Sequence, residues 1–204
     1  MNQHSVPSVA SREKDDVSAS WFEGNARKPA LVGVIGRVHD LIVVEQPGSL
    51  SSIEGINFED AVFESGRPVL MVPKADRSVL GAVIGIAWSG TPETTHTVAL
   101  AMPLLKRAKK VVIVAVGSKD MPETGPGGEE LAEALERHGM NVNLRMAFGR
   151  QKRQGQSFLK EAAAAEVDLL LKGAYARSRL RQTIFGGATR HIILKSPIPV
   201  LMAR

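Results

Sequence analysis

Asp168-Leu169-Leu170-Leu171-Lys172 runs directly into Gly173-Ala174-Tyr175-Ala176, and after a basic stretch the chain continues Phe185-Gly186-Gly187-Ala188-Thr189. A short aliphatic run that ends on a glycine reads as a buried strand entering a tight turn. A second pair of glycines ahead of helix-forming residues reads as a turn that opens a helix. In α/β proteins this succession builds a seat for an anion. Backbone N–H groups left bare by small residues point outward, and the helix N-terminus adds partial positive charge. The chain closes on Pro197-Ile198-Pro199-Val200-Leu201-Met202, a last short strand.

The same rhythm extends upstream. Residues 82–88, 111–116, 141–146 and 167–171 are apolar runs of strand length, and Val200–Ala203 completes the set. Helical patterns separate them: from Pro92, whose missing N–H suits a helix start, to about Ala108, then residues 129–138, 157–165 and 187–194. Five strands alternating with four helices predict an α/β fold with a doubly wound, five-stranded parallel sheet over residues 79–204. Residues 117–128 are a Gly/Pro-rich connection. Before this unit, residues 19–22 read as a short strand and 29–38 as a helix weakened by Gly33 and Gly36. Residues 41–44 read as a strand, 53–64 as a helix ending at Gly66, and Val69–Val72 as a further strand. Residues 1–18, rich in Ser, Asp and Lys, read as a disordered tail.

The chain repeats itself. Asp40-Leu-Ile-Val-Val parallels Asp168-Leu-Leu-Leu-Lys, and Pro68-Val-Leu-Met-Val-Pro parallels Pro199-Val-Leu-Met-Ala-Arg. Two copies of one domain explain this. The copy over residues 19–78 has room only for its second half, so its opening strands are expected before Met1. An open strand edge invites pairing. Val200–Ala203 is therefore expected to self-associate with a second copy, or to pair with Val69–Val72 inside one chain.

Composition narrows the chemistry. Of 204 residues, 44% are hydrophobic and only 4% aromatic, so the core must be aliphatic. No cysteine is present, which excludes disulfides, thiolate metal sites and cysteine catalysis. The net charge of +5 is spread over helices and loops without the aromatics of a base-stacking groove, so nucleic acid is not the expected partner. No run reaches the roughly 18 apolar residues of a membrane span. The first residues lack the apolar stretch of a secretory signal, and the cytoplasm is the expected location.

The second half resembles the universal stress protein family, in particular its tandem bacterial members. The likeness rests on Gly173-Ala-Tyr-Ala-Arg-Ser-Arg-Leu-Arg, on Gly186-Gly-Ala-Thr-Arg-His, on Ile86-Ala-Trp-Ser-Gly-Thr and on Ala101-Met-Pro-Leu-Leu. The resemblance implies the strand order 3-2-1-4-5 and a fold of the adenine-nucleotide α-hydrolase type. Nucleotide-binding members carry Gly-x2-Gly-x9-Gly-Ser/Thr after the fourth strand. The matching frame here is Gly173, Ala176, Gly186 and Gly187, with Ala176 in place of the second glycine and Gly187 in place of the hydroxyl residue. Such members also carry an Asp after the first strand, where this chain has Ser89. The resemblance thus implies a degenerate site for ATP or another adenine nucleotide, built from Ser89, Gly90, Gly173, Ala176, Arg177, Gly186, Gly187, Ala188 and Thr189, in a stress-response protein.

Each of these residues also has a plain structural reading. The glycines can serve tight strand–helix packing, Thr189 can cap the last helix, and Arg177, Arg179 and Arg181 can be a solvated loop with Arg177 nearest the cradle. The histidines are isolated from one another in sequence, so no metal is expected. No phosphate-binding Gly-x4-Gly-Lys-Ser/Thr and no Gly-x-Ser-x-Gly elbow occurs, and no catalytic residue is assigned. Binding with ligand-dependent association is the first reading. A dimerisation module without ligand is the alternative, and an ATPase ranks last.

Overall fold

The computed structural model describes residues 31–74, 79–117, 125–148, 154–174 and 187–204. The first elements are α1 (Leu31–Gly36), β1 (Ile42–Glu45), α2 (Ile53–Glu64) and β2 (Val69–Val72). Next come β3 (Val83–Trp88), α3 (Pro92–Leu100), α4 (Met102–Leu105), β4 (Lys110–Gly117) and α5 (Gly128–Arg137). The chain ends with β5 (Val142–Phe148), α6 (Gln154–Ala164), β6 (Leu169–Gly173), α7 (Gly187–Lys195) and β7 (Val200–Ala203). The strand expected at residues 19–22 and the tail lie outside the described residues.

The strands of the described residues join one seven-stranded sheet in the order β1-β2-β7-β6-β3-β4-β5. Its last five strands carry the expected order, with β3 between β6 and β4, and they are parallel throughout. The sheet is two strands wider than that unit. β1 pairs parallel with β2, and β2 pairs antiparallel with β7, so the whole is mixed. Leu70 lies opposite Leu201, flanked by Val69 opposite Met202 and Met71 opposite Val200. The two Val-Leu-Met segments therefore face each other head to tail, Leu against Leu and each Val against the other's Met.

Alternation along the strands divides the core between the two faces of the sheet. On one face Phe58, Val62, Met71, Val112, Val114, Phe158, Leu170, Ile192 and Met202 form a cluster under α2, α6 and α7. On the other, Ile84, Ile86, Trp88, Val98, Leu105, Ile113, Leu135, Leu169, Leu171 and Leu201 pack under α3, α4 and α5. The first cluster crosses the β2–β7 junction, so the two ends of the chain share one core. Polar contacts cross it as well. The Gln46 side-chain amide donates to the carbonyls of Ile193 and Ser196, 2.8 and 3.0 Å away. The Arg204 guanidinium lies 5.2 Å from the centre of the Phe63 ring.

Two local expectations change. The helix from Pro92 to about Ala108 is two helices that meet at Ala101. Pro103 has no N–H to give the carbonyl four residues before it, so the first helix closes and a short turn restarts the chain. Gly33 and Gly36 do more than weaken α1. A Cβ at Gly33 would lie 2.5 Å from the Glu64 Cβ, so the glycine lets α1 sit against α2, and its N–H donates to Asp60 Oδ2 at 2.8 Å.

A chain that starts at Leu80 should still unfold cooperatively, because β3 to β7 keep core on both faces. It should also form dimers, because the β7 edge covered by β2 is then bare. Light scattering at several concentrations checks this. A folded monomer at all of them would show that the bared edge does not drive association.

Candidate functional site

From β3 the connections lead to β4 and β5 on one side, whereas β6 leads to β7 on the other. Where winding reverses, the loops that leave two adjacent strands diverge and open a crevice at the strands' C-terminal ends. The residues at that point are Trp88-Ser89-Gly90 after β3 and Lys172-Gly173-Ala174 at the end of β6.

Ser89 opens a small hydroxyl cluster. Its Oγ is 2.7 Å from Thr94 Oγ1 and 3.3 Å from Thr91 Oγ1, and the two threonine oxygens are 3.4 Å apart. Thr91 occupies the N-cap of α3 without a side-chain capping bond. Gly90 has φ +66, a conformation that favours glycine, and a Cβ there would come within 2.9 Å of the Pro126 carbonyl oxygen. The Trp88 indole donates to the same carbonyl at 2.9 Å, which ties the approach of α5 to the crevice wall.

Gly173 is explained by a neighbour. A Cβ on it would lie 2.5 Å from the Thr94 nitrogen and 2.7 Å from Thr94 Oγ1. The first turn of α3 rests on the end of β6, and only a glycine lets it approach that far. Gly187 differs, since a Cβ there would meet nothing within 4 Å among the described residues. It opens α7, with Ala188 half-buried and Thr189 buried behind it. Ser89, Gly90 and Gly173 thus gather at the crevice, whereas Gly187, Ala188 and Thr189 form the N-terminal turn of a separate helix. Ala176, Arg177 and Gly186 lie outside the described residues, as do Arg179 and Arg181.

Two charged residues at the crevice carry no weight in the sequence reading. Lys172 is only 7% exposed. Its position in β6 puts it on the face of Leu170, yet its ammonium reaches over the strand end and donates to the Gly173 carbonyl at 3.1 Å. Burial pushes its pKa down to about 8, while the charge of Glu93 pulls the other way. Glu93 belongs to the first turn of α3, and its Oε2 is buried without a hydrogen-bond partner among the described residues. The available signal was a charge at the end of an otherwise apolar run, immediately before a glycine.

Asp168 sits at the opposite end of β6 and is structural. Its carboxylate accepts from the N–H groups of Gly81, Ala82 and Val83 at 2.6, 2.9 and 3.0 Å, which fixes the start of β3 against β6. A separate groove of about 570 Å³ lies past the end of β1, lined by Glu45, Gln46, Ser49, Ser52, Glu54 and Lys74 among others. Lys74 pairs there with Glu45 at 3.2 Å, so the groove offers an anion no free cation among its lining residues. Among the described residues no three His, Asp or Glu side chains gather as a metal ion would require. No helix of the described residues is long and apolar enough to cross a membrane.

Residues 83–204 match the family described as the Universal stress protein family. The universal stress protein Slr1230 of Synechocystis is 25% identical over 171 residues, which cover 81% of this chain and 58% of that protein. The crystal structure of a universal stress protein from Archaeoglobus fulgidus superposes with a TM-score of 0.68 at 18% identity, covering 84% of this chain and 63% of the other. The likeness to that structure is one of fold. The chain spans less than two thirds of the length of either relative.

Proposed function

The chain belongs to the universal stress protein family, and we propose that residues 79–204 bind an adenine nucleotide or another phosphate ligand weakly, acting in the cytoplasm in stress response through ligand-dependent association. Family membership supports the stress-response role. The observation that carries the binding reading is the switch point of the sheet between β3 and β6, with the hydroxyls of Ser89, Thr91 and Thr94 gathered just past the end of β3. In this reading Ser89 and Gly90 face the nucleoside. The stretch of sequence with Ala176, Arg177 and Gly186, continued by Gly187, Ala188 and Thr189 at the head of α7, receives the phosphates. The mechanism is binding without turnover: hydroxyls and backbone N–H groups hold the ligand, and no residue is assigned to a chemical step. The first four elements are, in the same proposal, the second half of a further copy of the domain. The facing Pro-Val-Leu-Met segments and the two Asp-led strands support that.

A serine hydroxyl lacks the charge and reach of a carboxylate, so affinity should be no better than micromolar, about −8 kcal/mol or weaker. Isothermal titration of the purified protein with ATP, ADP and AMP tests this, and no heat of binding at millimolar ligand would refute it. Gly187→Ala gives a local check. The added methyl meets no atom of the described residues within 4 Å, and alanine suits a helix better than glycine. Thermal stability should therefore hold or rise slightly, while nucleotide affinity falls several-fold. Unchanged affinity would place the phosphates elsewhere.

The second reading, a dimerisation or interaction module without ligand, has its own observation. The α3 turn alone accounts for Gly173. Among the described residues the outer edge of β1 also has no neighbouring strand, with Val43 61% exposed.

A further inference from the structure

Lys172 at the end of β6 and Glu93 in the first turn of α3 are neighbours at the switch point, since a Cβ on Gly173 would lie 2.7 Å from the Glu93 carbonyl carbon. Lys172 is buried, and among the described residues one of its three N–H donors is used, on the Gly173 carbonyl. Glu93 Oε2 is buried and accepts from no group among the described residues. Buried polar groups are normally satisfied, because each unmade bond carries the full penalty of desolvation. An apolar residue at 172 would extend Leu169-Leu170-Leu171 into the core at no such cost. The strand end instead presents an ammonium donor and a carboxylate acceptor, both with capacity to spare among the described residues, at the switch point of the sheet.

We infer that Lys172 and Glu93 act as a donor–acceptor pair that recognises the neutral polar part of a nucleoside ligand, a group with an acceptor beside a donor. This rests on the nucleotide reading given above. The two charges sum to zero, so a phosphate at this point would meet Glu93 with like charge. A neutral group with an acceptor for the ammonium and a donor for the carboxylate satisfies both. The cis-diol of ribose has that pattern, and so does the edge of adenine that carries its amino group beside a ring nitrogen. A pKa near 8 leaves the ammonium charged at neutral pH, able to donate. The pair also supplies the carboxylate that Ser89 does not.

The test compares ATP, 2′-deoxyATP and ITP by isothermal titration on the full chain and on Lys172→Met, Lys172→Gln and Glu93→Met, each checked for folding by thermal melting. 2′-DeoxyATP lacks the diol, and ITP replaces the amino donor with an acceptor. The wild type should bind ATP at least tenfold more tightly than one of the two, and the analogue that loses affinity identifies the part of the nucleoside held. Lys172→Met and Glu93→Met should bring that preference to within twofold while remaining folded, and Lys172→Gln, which keeps a donor, should retain part of it. Equal binding of all three nucleotides by the wild type would overturn the pair's role while leaving the nucleotide reading intact. A preference that survives in folded variants would do the same. No binding of any nucleotide would remove both.

Discussion

Asp168→Ala should lower the free energy of unfolding by about 3 kcal/mol, since three hydrogen bonds to a charged acceptor are lost together and each is worth roughly 1.5 kcal/mol or more before relaxation. Three consecutive N–H groups, on Gly81, Ala82 and Val83, lose their acceptor at once. They lie where β3 begins and first meets β6, next to the Asp168 N–H bond to the Val83 carbonyl at 3.0 Å. Water can replace only part of this, because all three residues are partly buried. Asp168→Asn should fall between the wild type and the alanine variant, as its amide keeps one acceptor oxygen and turns donors toward the rest. Urea unfolding checks it: the midpoint should drop with an unchanged slope. Nucleotide affinity should not move, because Asp168 lies at the opposite end of the sheet from the crevice. A midpoint within experimental error of wild type would show that the carboxylate does not hold the β3–β6 junction.

Lys172→Met should do the reverse and stabilise the protein. The folded state depresses the lysine pKa to about 8, against about 10.4 for an unperturbed side chain. The unfolded chain therefore binds the proton more tightly, and at neutral pH keeping it on a buried amine costs on the order of 3 kcal/mol. Removing the ammonium also strips Glu93 of a favourable neighbour, so a net gain of about 2 kcal/mol is expected, an increase of roughly 4–8 °C in Tm for a chain of this size. The pH dependence carries the diagnosis. Wild-type stability should rise relative to the variant as pH climbs through 8, because the unfolded state then holds more protons than the folded one. The gap should be full below about pH 8 and mostly closed near pH 10.4. A variant less stable than wild type at pH 7 would mean that Lys172 is a structural partner. Retention of a stabilising deficit at a crevice is what a binding function would require.

The strand rhythm was legible because aliphatic runs of four to six residues bounded by Gly, Pro and charged residues have few other readings. The order of the last five strands followed from the family likeness, and the seven-stranded sheet was not spelled out by either. The β2–β7 junction depends on which open edge meets which, a tertiary choice to which the repeated Pro-Val-Leu-Met only points. Helix division at Ala101 was hidden because Pro103 sits in a run whose apolar spacing continues past it. At the site, Gly173 was found but its reason was not. A glycine at the end of a strand reads the same whether an anion or the turn holding Thr94 approaches it. Lys172 and Glu93 were missed because no spacing connects them. Their proximity exists only once α3 is laid across the end of β6.

The most direct measurement follows the backbone amides of isotopically labelled protein by NMR as ATP is added. Progressive shifts at Ser89, Gly90, Gly173, Gly187 and Thr189, with Ile42–Glu45 unmoved, are what the account predicts. Shifts confined to the groove around Gln46 and Ser49, or none at millimolar ATP, would contradict it.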